Sequence, residues 1–367
     1  MRLALEGINV KVGADQHLVD VNMTLEAGSL NMLLGPTQAG KTTLMRVMAG
    51  LDRPTSGRVL VDGVDVTGKG VRERNVAMVY QQFVNYPSFT LFENIASPLR
   101  QARRFDAQEI VRRVRRAAEM MHIEHLLDRL PAEVSGGQQQ RTAIARALVK
   151  EAGLLLLDEP LVNLDYKLRE ELRTELRELF GKGSTTVVYA TTEPTEALMM
   201  GGSTAVLDLG CLLQFGPTID VFHKPGTTRV AQIFSDPPIN VMPAHVSGGE
   251  CRVSADTAFA VPRHMMTLGD GEYRVGIRAN HVSVEPKWNA NAAIGVDIEL
   301  AEISGSETFV HGRHGSIAMI ARIDGVHEYR LGDRITLYFD PARLFAFDLD
   351  RRLVAAPEAV APRQEKV

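Results

Sequence analysis

Residues 30–42 read LNMLLGPTQAGKT, an apolar run followed by a glycine-rich loop that ends in a lysine and a threonine. The apolar run predicts a buried strand, and residues 42–49 have the pattern of a helix. Gly35, Gly40, Lys41 and Thr42 fill the spacing G-x-x-x-x-G-K-[ST] between the two elements. Glycines in such a loop let backbone N–H groups turn inward around phosphates, and the start of the helix adds partial positive charge. The stretch therefore predicts a phosphate-binding loop at the beginning of an α/β fold.

The predicted loop offers two functional side chains besides its backbone. Lys41 is expected to reach the β and γ phosphates of a nucleotide, and the Thr42 hydroxyl is expected to ligate Mg²⁺. The alternative, a glycine-rich turn with a surface lysine, is disfavoured by the flanking strand and helix. The full set of predicted loop contacts is Gly35, Pro36, Thr37, Gln38, Ala39, Gly40, Lys41, Thr42 and Thr43.

A second apolar run, LLLLDEP at residues 154–160, ends in two acidic residues. These residues indicate which reaction the predicted phosphate loop serves. The four leucines place Asp158 at the carboxyl end of a buried strand, where open α/β sheets bind ligands and a carboxylate can hold Mg²⁺. Glu159 is then positioned to orient or deprotonate an attacking water. A buried strand followed by an acidic turn would look similar in isolation, but the phosphate loop makes the catalytic interpretation the stronger one.

Composition describes an ordinary folded protein of about two domains. The 367 residues are 45% apolar and 23% charged, which excludes disordered, collagenous and coiled-coil classes. A net charge of −4 gives no support to nucleic-acid binding. The two cysteines show no metal spacing and no apolar run is long enough to span a bilayer, so a membrane link is expected to come through a partner.

The chain changes character near residue 234. Before it, apolar runs alternate with helical patterns, as in a parallel sheet covered by helices. After the proline-rich segment SDPPINVMP, short alternating runs separated by Gly and Asp predict an all-β barrel or sandwich. The predicted organisation is therefore an α/β domain over residues 1–234, a β domain over 235–353 and a disordered tail over 354–367.

Three further motifs support a resemblance to a known family. VYQQ at 79–82, VSGGQQQR at 134–141 and NLD at 163–165 stand in this order with the loop and the acidic strand. The set resembles the ATP-binding subunit of an ABC transporter, which implies a P-loop NTPase fold, ATP and Mg²⁺ as cofactors, and ATP hydrolysis. By this resemblance Gln81 contacts Mg²⁺, and two modules face each other with ATP between one phosphate loop and the other's signature. The signature residues carried over are Ser135, Gly136, Gly137 and Gln138, and the loop crossing the interface is Asn163, Leu164 and Asp165.

The resemblance narrows to importers of the maltose and other carbohydrate systems. QQFVNYPSFTLFENIASPL at 81–99 is similar to the segment that receives a membrane subunit's coupling helix, with Phe83, Tyr86 and Phe89 lining the groove; a core aromatic cluster is the alternative. The C-terminal region resembles the OB-like, TOBE-type barrel of that group, and the N-terminal region resembles glycerol importer ATPases. Implied partners are two membrane permease subunits, a second ATP-binding subunit and, indirectly, a periplasmic solute-binding protein, but no nucleic acid. The implied location is the cytoplasmic face of the inner membrane, as a peripheral protein.

The sequence departs from this family pattern at two positions. Val12 stands where members carry an aromatic residue that stacks on adenine, so ATP binding is expected to be looser. Thr192 stands where members carry a histidine that contacts the γ-phosphate, and losing such a donor costs on the order of 10² to 10³ in rate. Locally, Thr192 is predicted to be a helix N-cap.

The sequence is compatible with three functions. The main one is an ATPase that powers import of a small polyhydroxy solute, paired as a heterodimer or a homodimer. The second is an ATP-gated regulatory module with little hydrolysis. The third, a soluble ATPase acting on nucleic acid or ribosomes, is disfavoured by the net charge of −4. A GTPase is also unfavoured because the chain has no N-K-x-D motif. The sequence does not identify the solute.

Overall fold

The computed structural model describes residues 1–162, 164–288 and 291–358. The chain divides into two compact units, Met1–Thr218 and Ile219–Val367. The predicted domain boundary after residue 234 stays a prediction, because compactness does not measure where independent folding ends. Among the described residues, no helix has the length and apolar character needed to cross a membrane.

The first unit is a mixed sheet with helices. Its strands are β1 (Leu3–Val12), β2 (Asp15–Leu25), β3 (Leu30–Leu34), β4 (Ser56–Val61), β5 (Val64–Asp65), β6 (Val76–Val79), β7 (Leu154–Asp158), β8 (Thr186–Thr191), β9 (Ser203–Asp208) and β10 (Cys211–Pro217). Its helices are α1 (Lys41–Ala49), α2 (Leu91–Ala102), α3 (Ala107–Met120), α4 (Gly136–Leu148), α5 (Tyr166–Lys182) and α6 (Pro194–Met200).

The central strands of this unit run parallel. The sheet order is β5-β4-β1-β2-β10-β9-β3-β8-β7-β6, with β9, β3, β8, β7 and β6 paired in parallel and β1, β2 and β4 antiparallel. Every residue of β7 and β8 is buried, as expected for strands covered on both faces. Because β3, β7 and β8 are neighbours, their carboxyl ends lie at one edge of the sheet. The predicted α/β fold is confirmed.

Helix α3 carries four closely spaced arginines, Arg112, Arg113, Arg115 and Arg116. Its buried residues are Val114, Ala117 and Ala118, and Arg113 is half-buried. Glu109 and Arg113 form an i,i+4 ion pair at 2.6 Å. Arg112, Arg115 and Arg116 are exposed, so this side of α3 is a solvated helix face.

The second unit is built from antiparallel strands. Helices α7 (Thr218–His223) and α8 (Thr228–Ile233) precede strands β11 (Asn240–Ser247), β12 (Glu250–Arg252), β13 (Ala258–Ala260), β14 (Gly271–Ile277), β15 (Val282–Ser283), β16 (Ala292–Ser304), β17 (Glu307–His314), β18 (Ile317–Asp324), β19 (Arg334–Phe339), β20 (Phe345–Phe347) and β21 (Leu353–Ala355). The strands form two sheets, β13-β12-β11-β14-β20-β21 and β15-β19-β16-β17-β18, which share one apolar core. The predicted β domain is confirmed.

The tail prediction is wrong at its beginning. Val354 and Ala355 belong to β21, which pairs with β20 through Ala346 and Ala355. The pairing forms because Ala355 is buried against the apolar core. Residues 359–367 lie outside the described residues.

Candidate functional site

The loop between β3 and α1 requires glycine at two positions. A Cβ on Gly35 would lie 2.4 Å from the Leu207 carbonyl oxygen, which is backbone and does not yield. Gly40 has φ +97°, in the left-handed region, and a Cβ there would lie 3.0 Å from the His17 carbonyl oxygen. Helix α1 begins at the next residue, Lys41. The loop backbone and the free N–H groups of the first helical turn therefore lie together, as in anion-binding helix termini.

Lys41 is enclosed by its own loop. The residue is 5% exposed, and its Nζ donates to the carbonyl oxygens of Gly35 at 2.8 Å and Pro36 at 3.1 Å. Glu159 Oε1 lies 3.5 Å from the same nitrogen. Burial lowers the pKa of Lys41, while Glu159 and Asp158 act in the opposite direction. The Lys41 ammonium group is thus held by two carbonyl oxygens of its own loop. A bound anion could accept its hydrogen bonds in their place.

Thr42 and Asp158 meet across the sheet edge. The Thr42 hydroxyl donates to Asp158 Oδ2 at 2.7 Å, and Asp158 is only 2% exposed. Burial raises the pKa of Asp158, and the hydrogen bond from Thr42 and the charge of Lys41 offset part of that effect. No group of three His, Cys, Asp or Glu side chains within the described ranges could hold a metal alone. The two oxygen ligands instead suit an ion such as Mg²⁺, which binds through one or two protein oxygens plus substrate phosphates.

Glu159 is held in an uncommon backbone conformation by a backbone hydrogen bond and by a glutamine side chain. Its φ is +47°, which is uncommon for a residue with a side chain, and its N–H donates to the Ala190 carbonyl oxygen at 3.1 Å. Gln81, just after β6, donates from Nε2 to Glu159 Oε2 at 3.0 Å. The structure therefore brings together Gln81, Glu159 and Lys41, which are far apart in the chain.

A cavity of about 610 Å³ opens beside these groups. Its lining includes loop residues 37–43, Gln81 and Glu159, and also residues that sequence reasoning missed. Val12, the predicted adenine position, is 57% exposed and does not line this cavity. The missed residues lie at the start of β2 and on the turn between β9 and β10, and no motif marks them: Asp15, Gln16, His17, Leu209 and Gly210.

The signature residues lie elsewhere. Ser135 is the N-cap of α4: its Oγ accepts from Gln138 N at 3.3 Å, and Gln138 Oε1 accepts from Ser135 N at 2.9 Å. Ser135 and Gly136 are exposed, and no residue of 135–138 lines the cavity beside Lys41. Within one chain, the phosphate loop and the signature are therefore not brought together.

Thr192 does not cap a helix, so that prediction is wrong. The N-cap of α6 is Glu193, and Pro194 occupies the first helical position, where its fixed φ starts the helix one residue later than expected. The Glu193 N–H donates to Thr191 Oγ1 at 3.0 Å. Thr192 itself is exposed and lines a small cleft together with Glu159 and Arg169.

A buried carboxyl next to Thr192 was also missed. Glu196 on α6 accepts a hydrogen bond from the Tyr189 hydroxyl at 2.6 Å and another from the Thr191 hydroxyl. Burial is the main cause that raises the pKa of Glu196. These bonds fasten the end of β8 to α6 and so fix the segment that carries Thr192.

The predicted interface loop precedes α5. Asp165 is the N-cap of that helix, and its Oδ1 accepts from Leu168 N at 3.0 Å. Arg169 donates from Nη2 to the carbonyl oxygens of Val162 at 3.3 Å and Leu164 at 3.2 Å. Asn163 lies outside the described residues.

Two of the three predicted groove aromatics are on the surface. Tyr86 is 51% exposed and Phe89 is 40% exposed, with ring centroids 5.4 Å apart, whereas Phe83 is half-buried. The core alternative is therefore wrong for Tyr86 and Phe89. Their loop is held by the fully buried Asn94, whose Nδ2 contacts the carbonyl oxygens of Tyr86 at 3.1 Å and Phe89 at 3.0 Å.

Comparison with known families gives two matches. Residues 18–162 match the family described as ABC transporter, and residues 275–347 match the family described as TOBE domain. The first match includes the phosphate loop, the signature and the acidic strand, and the second lies within the antiparallel unit.

Curated relatives match over nearly the whole chain. An sn-glycerol-3-phosphate import ATP-binding protein of Yersinia enterocolitica is 35% identical over 347 residues, covering 93% of this chain and 95% of that protein. A xylose/arabinose import ATP-binding protein of Haloferax volcanii is 34% identical, covering 90% of this chain and 87% of that protein.

A solved structure matches part of the chain. The structure is titled a dimeric post-hydrolysis state of the ATP-binding cassette MJ0796 bound to ADP and Pi. Its TM-score is 0.54 at 29% identity, and the match covers 59% of this chain and 98% of that one. The likeness thus extends to the fold of a complete ATP-binding cassette.

Proposed function

The chain belongs to the ABC transporter ATPases that carry a C-terminal TOBE domain, and from this premise we propose that it energises the import of a small polyhydroxy solute, namely a carbohydrate, glycerol or a glycerol phosphate. The observation that carries the proposal is the extent of the likeness to the glycerol-phosphate import protein of Y. enterocolitica, 93% of this chain. This likeness extends over the antiparallel unit as well as over the first unit, which carries the phosphate loop. The sugar importer of H. volcanii is similar over 90% of the chain, which keeps the solute class broad.

ATP would be held by the loop 35–43. The residues fit it, because Gly35 and Gly40 keep clear the space that a Cβ would fill and Lys41 supplies a positive charge at the loop. Phosphate oxygens would take the place of the two carbonyl oxygens that Lys41 contacts, and bonds between charged groups are the stronger ones. Of the other predicted loop contacts, Thr37, Gln38, Ala39 and Thr43 would contribute backbone N–H groups, whereas Pro36, which has no N–H, would only shape the loop.

Mg²⁺ would be held by Thr42 and Asp158, with Gln81 beside them. The hydroxyl and carboxylate oxygens are already 2.7 Å apart, and they are ligands that this ion prefers. When bound, the ion neutralises charge on the phosphate oxygens. Asp158 must be ionised for this role, and the Lys41 charge supports its ionised form.

Glu159 would hold and deprotonate the attacking water. Its carboxylate is positioned by Gln81 at 3.0 Å and lies 3.5 Å from Lys41. Thr192 lines the cleft on the other side of Glu159 but offers a hydroxyl in place of a histidine's positive charge. We expect turnover at this site to be slower by on the order of 10² to 10³ than at a site with the histidine.

A second ATP-binding subunit would complete each site. Ser135, Gly136, Gly137 and Gln138 are outside the cavity beside Lys41, while Ser135 and Gly136 are exposed at the start of α4. Their backbone donors are therefore available to a γ-phosphate held by the partner. The weakened own site and the intact signature together favour a heterodimer, with a homodimer of two slow sites as the alternative.

Two membrane permease subunits would be partners of the complex, and the coupling helix of one of them would dock on the groove with Phe83 and the exposed Tyr86 and Phe89. A periplasmic solute-binding protein would deliver the solute to those permeases, so it would act on this chain only indirectly. The chain would then lie at the cytoplasmic face of the inner membrane as a peripheral subunit. Nucleic acid is not expected as a partner, given the net charge of −4.

A second candidate function is an ATP-gated regulatory module that hydrolyses little ATP. It is favoured by the exposed Thr192 and by Val12, which gives no aromatic surface for adenine. The two functions differ in whether nucleotide turnover drives solute across the membrane.

The test is reconstitution of the chain with its co-purified permeases in liposomes. We expect ATP-dependent uptake of one solute among glycerol, glycerol 3-phosphate and a pentose. Glu159→Gln should abolish uptake if this chain's site supplies turnover, and should leave partial uptake if a partner's site does. Permeases that take up none of these solutes would contradict the solute class, and ATP binding without any uptake would favour the regulatory module.

A further inference from the structure

A second cavity, of about 330 Å³, lies within the first unit. Its walls come from α3, from the last turns of α4 and α5, and from the beginnings of β7 and β8. The volume suits a small organic molecule. Six of its lining residues decide what it can bind: Arg112, Arg113, Arg116, Glu151, Phe180 and Val187.

This cavity is separate from the cavity beside Lys41. Leu155 lines it near the amino end of β7, whereas Asp158 ends the same strand. A strand rises about 3.3 Å per residue, so the two residues are roughly 10 Å apart along β7. No residue of the loop 35–43 lines the second cavity. A ligand in it would therefore leave the phosphate loop accessible to a nucleotide.

The floor of the second cavity is apolar and buried. Val187 is 1% exposed, Leu155 is 4% exposed and Phe180 is 5% exposed, so the cavity extends below the surface of the unit. Removing the apolar part of a ligand from water against this floor would be the main driving force for binding. The half-buried side chains of the walls are also apolar: Met120, Leu148 and Leu179.

Arg112 and Arg113, on the α3 side of the cavity, already have acidic partners. Glu109 Oε1 accepts from Arg112 Nη2 at 2.7 Å and from Arg113 Nε at 2.6 Å. Hydrogen bonds from the two arginines, first Arg112 and then Arg113, lower the pKa of Glu109 to about 2, so this carboxylate is ionised near pH 7. Glu151 Oε1 lies 2.7 Å from Arg113 Nη1. The two carboxylates therefore balance the charge of these two arginines.

Arg116 is the cation of this lining that has no acidic partner in the described part of the chain. It lies one helical turn after Arg112 on α3, and its side chain is exposed. Within the described ranges its guanidinium group forms no hydrogen bond and no ion pair. The described lining thus has one positive charge in excess, next to an apolar floor.

We propose that this cavity binds a small amphipathic carboxylate, with its apolar chain against Phe180 and Val187 and its carboxylate at Arg116. The guanidinium fork matches a carboxylate in geometry, and hydrogen bonds between ions are the stronger ones. One carboxylate balances the one charge in excess. The proposal is independent of which solute the transporter carries.

The position of the cavity connects two helices of the first unit. Helix α4 begins after Ser135, the first signature residue, and α5 begins after Asp165, in the predicted interface loop. Both helices end at the cavity, so a bound carboxylate would contact the two together. Binding would therefore favour the arrangement of α4 and α5 in which the cavity is formed.

The experiment is calorimetric titration of the full-length chain with submicellar octanoate, 1-octanol and acetate, each titrated separately. Octanoate has both parts of the proposed ligand, 1-octanol has the chain without the charge, and acetate has the charge without the chain. We expect saturable binding of octanoate at one site per chain, weaker binding of 1-octanol and no saturable binding of acetate. No saturable binding of octanoate, or 1-octanol or acetate binding as tightly as octanoate, would overturn the proposal.

Variants decide whether this cavity is responsible. Arg116→Gln should weaken octanoate binding by about threefold to tenfold, because the ion pair is lost, and should leave 1-octanol binding unchanged. Arg115→Gln is the matched control, because Arg115 is exposed on the same helix and does not line the cavity, so octanoate should bind as it does to the parent chain. Ala117→Leu, which fills the cavity from α3, should weaken the binding of both octanoate and 1-octanol.

The two arginine variants keep the test decisive if Ala117→Leu does not fold, because both arginines are exposed. Equal octanoate affinities of Arg116→Gln and Arg115→Gln would contradict the site. An equal loss of octanoate and 1-octanol binding in Arg116→Gln would contradict the pairing of the carboxylate with Arg116.

Discussion

Replacing Asn94 by alanine should loosen the loop that presents Tyr86 and Phe89. Asn94 is fully buried on α2, and its Nδ2 contacts the carbonyl oxygens of Tyr86, Phe89 and Thr90 at 3.0 to 3.1 Å. Its Oδ1 accepts from Tyr86 N at 2.8 Å and from Arg146 Nη1 at 3.3 Å. One side chain thus holds both ends of a five-residue segment.

The expected loss of stability follows from these bonds. Nδ2 carries two hydrogens and Oδ1 accepts two bonds, and each hydrogen bond contributes roughly 0.5 to 1.5 kcal/mol. The Thr90 carbonyl oxygen keeps its bond from the Asn94 backbone N–H, and Arg146 keeps the Val84 carbonyl oxygen, so not every partner is orphaned. We expect a loss of about 2 to 4 kcal/mol in the unfolding free energy, which is about 1 to 2 M in the urea midpoint at an m-value near 2 kcal/mol/M.

The assay is urea unfolding followed by helical circular dichroism, since α1 to α6 all lie in the first unit. Ser97→Ala is the matched control, because Ser97 on the same helix donates one bond to the Asn94 carbonyl oxygen at 2.8 Å. It should cost about 1 kcal/mol or less. A midpoint for Asn94→Ala within error of the Ser97→Ala midpoint would refute the reasoning. Solute uptake should fall more than ATP binding, because the loop is the proposed permease surface.

Four further predictions follow from the same structure. Lys41→Ala should abolish Mg-ATP-dependent activity of the assembled complex, and unchanged nucleotide binding and transport would contradict the assignment of the loop. Thr192→His should raise steady-state ATP turnover little in a heterodimer, where changing Ser135 should reduce it far more; a marked rise in the isolated chain would indicate a homodimer of slow sites. Burial raises the pKa of Glu196 above its unfolded value. The stability contributed by the protonated carboxyl group is therefore full below the unfolded pKa and is lost as the pH rises through the folded pKa. Glu196→Gln should reduce the difference between urea midpoints measured near pH 5 and near pH 8. A chain ending at residue 218 should unfold more cooperatively than one ending at residue 234, because the longer one exposes Ala231, which packs with Ile239, Phe345 and Phe347 in the full chain; equal cooperativity would favour the predicted boundary.

The parts of the site that could be predicted depend on sheet geometry. Thr42 follows β3 and Asp158 ends β7, and the carboxyl ends of parallel strands meet at one edge, so their contact at 2.7 Å follows from the order of elements. The alternation of strands and helices likewise determines the parallel half of the sheet. The antiparallel half, β1, β2 and β4, could not be assigned because no helix separates β1 from β2, and because β4 follows α1 in the chain but pairs with the distant β1.

The parts of the site that could not be predicted depend on the backbone torsion of a single residue or on a contact with backbone that is distant in the sequence. The left-handed φ of Glu159 and its bond to the Ala190 carbonyl oxygen have no local sequence signal. The predicted N-cap of α6, Thr192, is one residue too early, because Pro194 with its fixed φ occupies the first helical position and Glu193 is the cap. His17 reaches the cavity because the start of β2 lies against Gly40, which only the folded sheet shows.

Arg169 gives a physical reason why the segment at Thr192 can still respond to a partner. Its Nη2 holds the carbonyl oxygens of Val162 and Leu164, in the loop expected at the interface, while its Nη1 lies 3.2 Å from Glu193 Oε1. Movement of that loop on pairing would therefore be transmitted to the residue next to Thr192 whatever side chain position 192 carries. In the proposed pairing, a threonine in place of the histidine would remove a charge from the site but would leave this connection in place, so we expect the chain still to complete a partner's site if its own turnover is slow.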